Sequence, residues 1–168
     1  MEMLVALMGN AIAIAVFWKQ RSTLKRTCYL LINLSVADLL VGVGEIIHLI
    51  DNIFHVIHSK PVFWDNILTV PDVFSGSASL LFLTLISMER LYAIACPFQH
   101  RTTNTRIYFY FIAVTWTLVA AITIIFLCSL VLEIISLKIP TLTSASVSAL
   151  CLVVISCSYL AKIGRAHV

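Results

Sequence analysis

The sequence predicts an all-α membrane protein, and three observations carry that prediction. Of 168 residues, 61% are hydrophobic and 11% charged, with a mean hydropathy of +1.03; a soluble domain carries about 25% charged residues. The apolar residues gather into five runs, about 3–18, 27–57, 65–95, 107–135 and 141–163. The breaks between them alternate between strongly basic and nearly neutral. A hydrocarbon layer about 30 Å thick is crossed by about 20 helical residues. The four later runs reach that length, and the first is cut short at its start. A chain in lipid must satisfy its own backbone polar groups, so each run is predicted to be a helix.

The first span runs from Met3 to Trp18. A signal peptide is the competing reading, but no basic segment precedes it and no small-residue cleavage site follows it. Lys19, Arg21, Lys25 and Arg26 make the next loop basic. The second span covers 27–57, and a short break around Pro61 ends it. The third covers 65–95; Pro71 either kinks it or sits in its first turn. Residues 96–106 (CPFQHRTTNTR) read as a polar, basic loop. The fourth span covers 107–135, SLKIP breaks the chain, and the fifth covers 141–163.

Orientation follows from the loops. The first and third hold Lys19, Arg21, Lys25, Arg26, Arg101 and Arg106, whereas the second and fourth hold Lys60 and Lys138. Basic loops stay cytoplasmic, which puts the N-terminus outside and Asp51, Asp65 and Glu133 toward the outer face. The expected protein is multi-pass, with the lipid bilayer as its surroundings and no nucleic-acid partner. Five cysteines without a CxxC, and the lack of a phosphate-cradling glycine loop, GxSxG or HExxH, give no sign of an enzyme. Cys128, Cys151 and Cys157 fall in apolar runs and are expected to pack there. Residues 1–162 are read as the domain. Residues 163–168, IGRAHV, are expected to be a non-native tail, because ATC GGA AGA GCA CAC GTC encodes them and is a common sequencing-adapter sequence. Genomic DNA encoding these six residues at this point would sink that expectation.

Ionisable groups inside a membrane are costly and mark function. Asp72 and Arg90 are eighteen residues apart, five turns or about 27 Å, so they share one helix face near opposite membrane boundaries. Asp38 sits near the midplane of the second span, with nothing basic near it in sequence. Asn10 and Ser79 lie at similar depth, so the three are candidates to surround a hydrated cation or a water cluster; plain helix–helix hydrogen bonding is the bland alternative. Asp72 lies one heptad before Ser79, on the same face. It is a candidate counter-ion for a ligand ammonium, or else an acid favoured by the helix N-terminus. Glu45, one heptad after Asp38, is a further pocket candidate. Glu89 and Arg90 are expected to snorkel together to the cytoplasmic interface. Asn33 opens a glycosylation triplet that should be silent within a span.

These residues resemble the rhodopsin-like, class A family of G-protein-coupled receptors. Gly9-Asn10 is similar to the family's helix 1 pair, and NLSVADLL (33–40) to its helix 2 signature. Ser79 followed by SMERLYAIACPFQHR is similar to its helix 3 Asp-Arg-Tyr motif and proline loop, here Glu89-Arg90-Leu91. Trp116 stands in the fourth span and Tyr159 near the inner end of the fifth. The resemblance covers Met3 to about Ala161. It implies five helices of a seven-transmembrane receptor bundle, truncated after helix 5, with an extracellular N-terminus, in the plasma membrane. It assigns Asp38, Asn10 and Ser79 to a sodium and water site, with sodium the one possible ion and no other cofactor. Glu89, Arg90 and Tyr159 become the activation switch that engages a heterotrimeric G protein, and Trp116 a structural residue. Asp72 matches the amine-binding aspartate of aminergic receptors.

Three departures pull toward the melanocortin, lysophospholipid and cannabinoid branch. Asp65 stands where the family has a cysteine at the outer end of helix 3. Cys151 stands where helix 5 has a proline. The loop between the fourth and fifth spans is very short. Asp65-Asn66-Ile67 resembles the melanocortin start of helix 3, so Asp65, Asp72 and Glu45 form the expected ligand-binding set. The resemblance favours a melanocortin-like or lipid receptor, with an aminergic receptor using Asp72 as the alternative. The fragment by itself is expected not to signal. A transporter or proton relay built on Asp38, Glu45 and Asp72 is the reading from another class, but it calls for an internal repeat that the sequence lacks.

Overall fold

The computed structural model describes residues 2–20, 27–57, 62–132, 151 and 154–155, and the side chains described are those of 4–20, 27–53, 69–129, 151 and 154–155. Five helices follow one another among the described residues: α1 (Glu2–Gln20), α2 (Thr27–Ile57), α3 (Val62–Ala95), α4 (Pro97–Thr102) and α5 (Thr105–Leu132). Three contain stretches long and apolar enough to cross a membrane, at Thr27–Ile53, Thr69–Ala95 and Thr105–Ser129, and α1 holds a shorter apolar stretch, Leu4–Gln20. The fold is all-α, and the protein is a multi-pass membrane protein. The expected fifth span, 141–163, lies largely outside the described residues, and so does the tail at 163–168.

α2 and α3 form the central pair; α1 packs on α2, and α5 on α3. Two glycines two residues apart set the spacing on either side of α2. A Cβ on Gly42 would meet the Leu7 side chain of α1 at 2.6 Å, and one on Gly44 would meet Asp72 of α3 at 2.9 Å. Small residues at such contacts let helices close up where lipid gives no hydrophobic drive. Ala37, Ala78, Phe82 and Val119 form the buried centre of α2, α3 and α5, with Phe74 and Trp116 stacked beside it. Much of the remaining apolar surface is exposed, as a lipid-facing surface requires.

Polar side chains within the helices are satisfied locally. Ser75, Thr84, Ser87, Thr115, Thr117 and Thr123 each donate to the carbonyl four residues earlier, the usual resolution for a hydroxyl in a helix. Pro71 lies inside α3 rather than in its first turn.

Two expectations are corrected. Residues 96–106 are not wholly loop: Pro97–Thr102 forms the short helix α4, with Pro97 in its first turn, where the missing N–H costs nothing. Cys128 is exposed on α5 rather than packed, whereas Cys151 is buried as expected; Cys157 lies outside the described residues.

Asn33, whose glycosylation triplet was expected to be silent within a span, lies inside α2. Its amide donates to the Tyr29 carbonyl at 2.8 Å, and its side-chain oxygen accepts the Trp116 indole N–H at 2.9 Å. The indole thus ties α5 to α2, which otherwise touch little. Trp116→Phe keeps the stacking and removes this bond. The expected cost is about 1 kcal/mol, read as a lower thermal unfolding midpoint in lipid nanodiscs. In a double-mutant cycle, adding Asn33→Ala should cost less than it does in the wild-type background.

Candidate functional site

The polar groups fall at three levels along the α2–α3 pair. Near the middle, Ser79 donates to Asp38 Oδ1 at 2.6 Å, within the range of a charge-assisted O–H···O bond. Asn10 is half-buried on α1, and among the described residues it bonds to neither. The structure therefore joins two of the three expected members of the midplane cluster. Asp38 and Ser79 supply oxygen donors of the kind a hard cation takes.

At the outer level, Asp72 turns its carboxylate toward α2. Its Oδ2 lies 2.8 Å from His48 Nε2, with both side chains about one third exposed. The nitrogen is buried but off line for a hydrogen bond, so this is a close contact rather than a directed bond. Glu45, one turn before His48, is exposed and does not join them. Asp65 falls within α3, but its side chain lies outside the described residues. Of the expected ligand set, Asp72 alone is placed by a described contact, and its partner His48 was not anticipated.

The inner level differs most from expectation. Glu89 does not snorkel: its side chain is 6% exposed, while that of Arg90 is 63% exposed. Glu89 Oε1 accepts from the Thr27 hydroxyl at 3.2 Å and lies 3.0 Å from His100 Nε2. Tyr108 places its hydroxyl 3.3 Å from the same ring nitrogen. Arg90 Nε stands 3.7 Å from Oε2, too far for a hydrogen bond. A buried carboxylate needs compensating donors, and here they come from the start of α2 and from α4. Glu89 thus holds the α4 segment against the α2–α3 end. A cavity of about 670 Å³ opens beside it, among Leu85, Met88, Tyr92, Gln99, Asn104 and Phe111. On α4, Phe98 is 87% exposed. Tyr159 lies outside the described residues.

Thr27, His48, His100 and Phe98 carried no sequence signal of their own. Each acquires meaning through a partner far along the chain or through the helix that α4 forms. The basic composition of 96–106 could have flagged His100, but not its target.

The family pattern described as 7 transmembrane receptor (rhodopsin family) matches residues 9–161. The chain belongs to the rhodopsin family of seven-transmembrane receptors. It is a member of a receptor family, not an enzyme, and this membership also sets the transporter reading aside. It is 31% identical to the D(1A) dopamine receptor of Xenopus laevis over 129 residues, which are 73% of this chain and 27% of that one. It is 33% identical to the 5-hydroxytryptamine receptor 2B of Dichotomyctere fluviatilis over 99 residues, 58% of this chain and 21% of that one. Over 108 residues it is 31% identical to the tachykinin-like peptides receptor 86C of Drosophila melanogaster, 62% of this chain and 21% of that one. The chain spans about a quarter of the length of these curated relatives. This rhodopsin-family chain is related to aminergic receptors.

Proposed function

We propose that the whole receptor binds an extracellular ammonium ligand through Asp72 and activates a heterotrimeric G protein through the end of the bundle that carries Arg90. The observation that carries the ligand class is the Asp72 carboxylate, in the outer half of α3 and one third exposed, already seated against a cation-capable partner. The dopamine and serotonin receptors among the relatives support it. At the inner end, Arg90 and Phe98 are both exposed, a cation and an apolar ring on adjoining helices. Arg and aromatic side chains are the groups that dominate protein interfaces. Asp38 and Ser79 are the proposed sodium ligands of the midplane. Tyr159 and Glu89 complete the proposed switch. On this reading the five spans alone do not signal.

The second reading is a peptide or lipid ligand of the melanocortin-like kind. Asp65 in place of a cysteine favours it, as does Cys151 in place of a proline. The test is G-protein activation by the full-length receptor in cells, with dopamine, serotonin, a melanocortin peptide and a lysophospholipid applied separately. Activation by an amine supports the first reading. Activation by the peptide or lipid, with the amines silent, replaces it with the second.

A further inference from the structure

We propose that His48 is a protonation-dependent competitor for Asp72: charged, it fills the counter-ion site, and neutral, it leaves the carboxylate to the ligand. This rests on the ammonium-ligand reading and adds to it a residue that sets when a cation is accepted.

The geometry is a cradle on α2. Gly44 and His48 are four residues apart, one above the other on the helix face that meets α3. Asp72 Oδ2 lies 2.8 Å from His48 Nε2, and a Cβ on Gly44 would sit 2.9 Å from Oδ1. The missing Cβ lets the carboxylate lie along α2, with the imidazole close beside it. Both side chains remain about one third exposed, although the Nε2 that faces Asp72 is itself buried, so solvent and ligand reach the pair from its other sides.

A carboxylate has acceptor capacity for more than one donor. A neutral imidazole can therefore stay beside Asp72 while an ammonium takes the free side, and the site keeps one negative charge. A protonated imidazole cancels that charge and repels a second cation at contact distance. Ammonium binding to the protonated form then requires one proton to leave the imidazole for solvent. The affinity of a cation rises with pH, and that of an anionic group falls. Histidine is the side chain that changes charge between about pH 5 and 8.

Among the described residues, other charged groups around His48 are few. α2 itself carries Glu45 one turn before and Asp51 one turn after, and α3 carries Asp72. α1 carries Glu2 at its start and Lys19 at its far end, α3 also carries Asp65 one heptad before Asp72, and α5 carries Arg106 and Cys128; the side chains of Glu2 and Asp65 lie outside the described residues. Among the described side chains, Asp72 is the one at ion-pair distance.

The test is competition binding of dopamine and of serotonin to the full-length receptor in membranes. Both amines stay protonated over the window used. Wild-type affinity is expected to be about tenfold weaker at about pH 5.5 than at about pH 8, and His48→Gln should cut that difference below about twofold. His48→Lys, a permanent cation, should bind at pH 8 as weakly as the wild type does in acid. A flat wild-type profile overturns the proposal without any variant. So does an undiminished slope in His48→Gln, or full affinity in His48→Lys. In each of these cases the amines still bind and the ammonium reading survives. Failure of both amines to bind the wild type and His48→Gln at every pH removes the ammonium reading and this proposal with it.

Discussion

Asp72→Asn is expected to lower the affinity of an amine ligand by about a hundredfold while the receptor still reaches the cell surface. Asn keeps the size and shape of the side chain, so the fit over Gly44 is undisturbed. What is lost is the charge. Removing one member of a desolvated, hydrogen-bonded charge pair costs about 2–5 kcal/mol, and about 1.4 kcal/mol is a factor of ten. The expected loss therefore runs from about thirtyfold to a few thousandfold, and saturation binding with cell-surface labelling separates it from misfolding. Asp72→Glu keeps the charge but lengthens a side chain whose Oδ1 already lies close over Gly44. Its carboxylate is displaced from the position Asp72 holds, so it should bind amines less well than the wild type but better than Asn. If Asn binds amines normally, Asp72 serves only the α2–α3 contact, and the peptide or lipid reading gains.

Helix existence was legible because the medium decides it. A chain in lipid has few alternatives to the helix, so apolar length alone marked α2, α3 and α5, and α2 falls on the predicted residues 27–57. α4 was not legible. Its six residues are mostly polar, with Phe98 the one large apolar side chain, and it forms where Pro97 can start a helix and the Thr102 and Thr103 hydroxyls donate to the Gln99 carbonyl. Heptad spacing put Asp72, Ser79 and Asp38 at workable depths, and the Asp38–Ser79 bond is the kind of contact spacing can suggest. It could not choose rotamers. Glu89 and Arg90 look equivalent as neighbours at a boundary, yet one is buried and the other exposed, because Thr27 and His100 offer donors on one side only. Those partners are 62 and 11 residues away in sequence, beyond any local pattern. His48 escaped for the same reason: nothing in HLID marks it until α3 brings Asp72 alongside.

That asymmetry gives opposite predictions for two adjacent residues. Arg90→Ala removes an exposed cation that makes no hydrogen bond to Glu89, so folding and ligand affinity should hardly change. An arginine at the centre of a protein interface is commonly worth 2 kcal/mol or more, so G-protein activation is expected to fall by about thirtyfold or further. Glu89→Ala acts the other way. It strips the acceptor from Thr27 and His100, releasing α4 from the α2–α3 end and freeing Arg90 from its nearest carboxylate. Breaking a buried charged contact costs about 3–5 kcal/mol, so the thermal midpoint should drop. The part that loosens is the proposed G-protein face, so agonist-independent activity should rise even as stability falls. Glu89→Gln keeps one acceptor oxygen and should lie between. Measuring basal and agonist-driven nucleotide exchange in membranes separates the cases. Equal loss of signalling in Arg90→Ala and Glu89→Ala would mean that Glu89 only supports the fold, whereas opposite signs mean that it restrains the arginine. The double variant then decides the order: if Arg90 acts downstream, Glu89→Ala cannot raise basal activity once the guanidinium is gone.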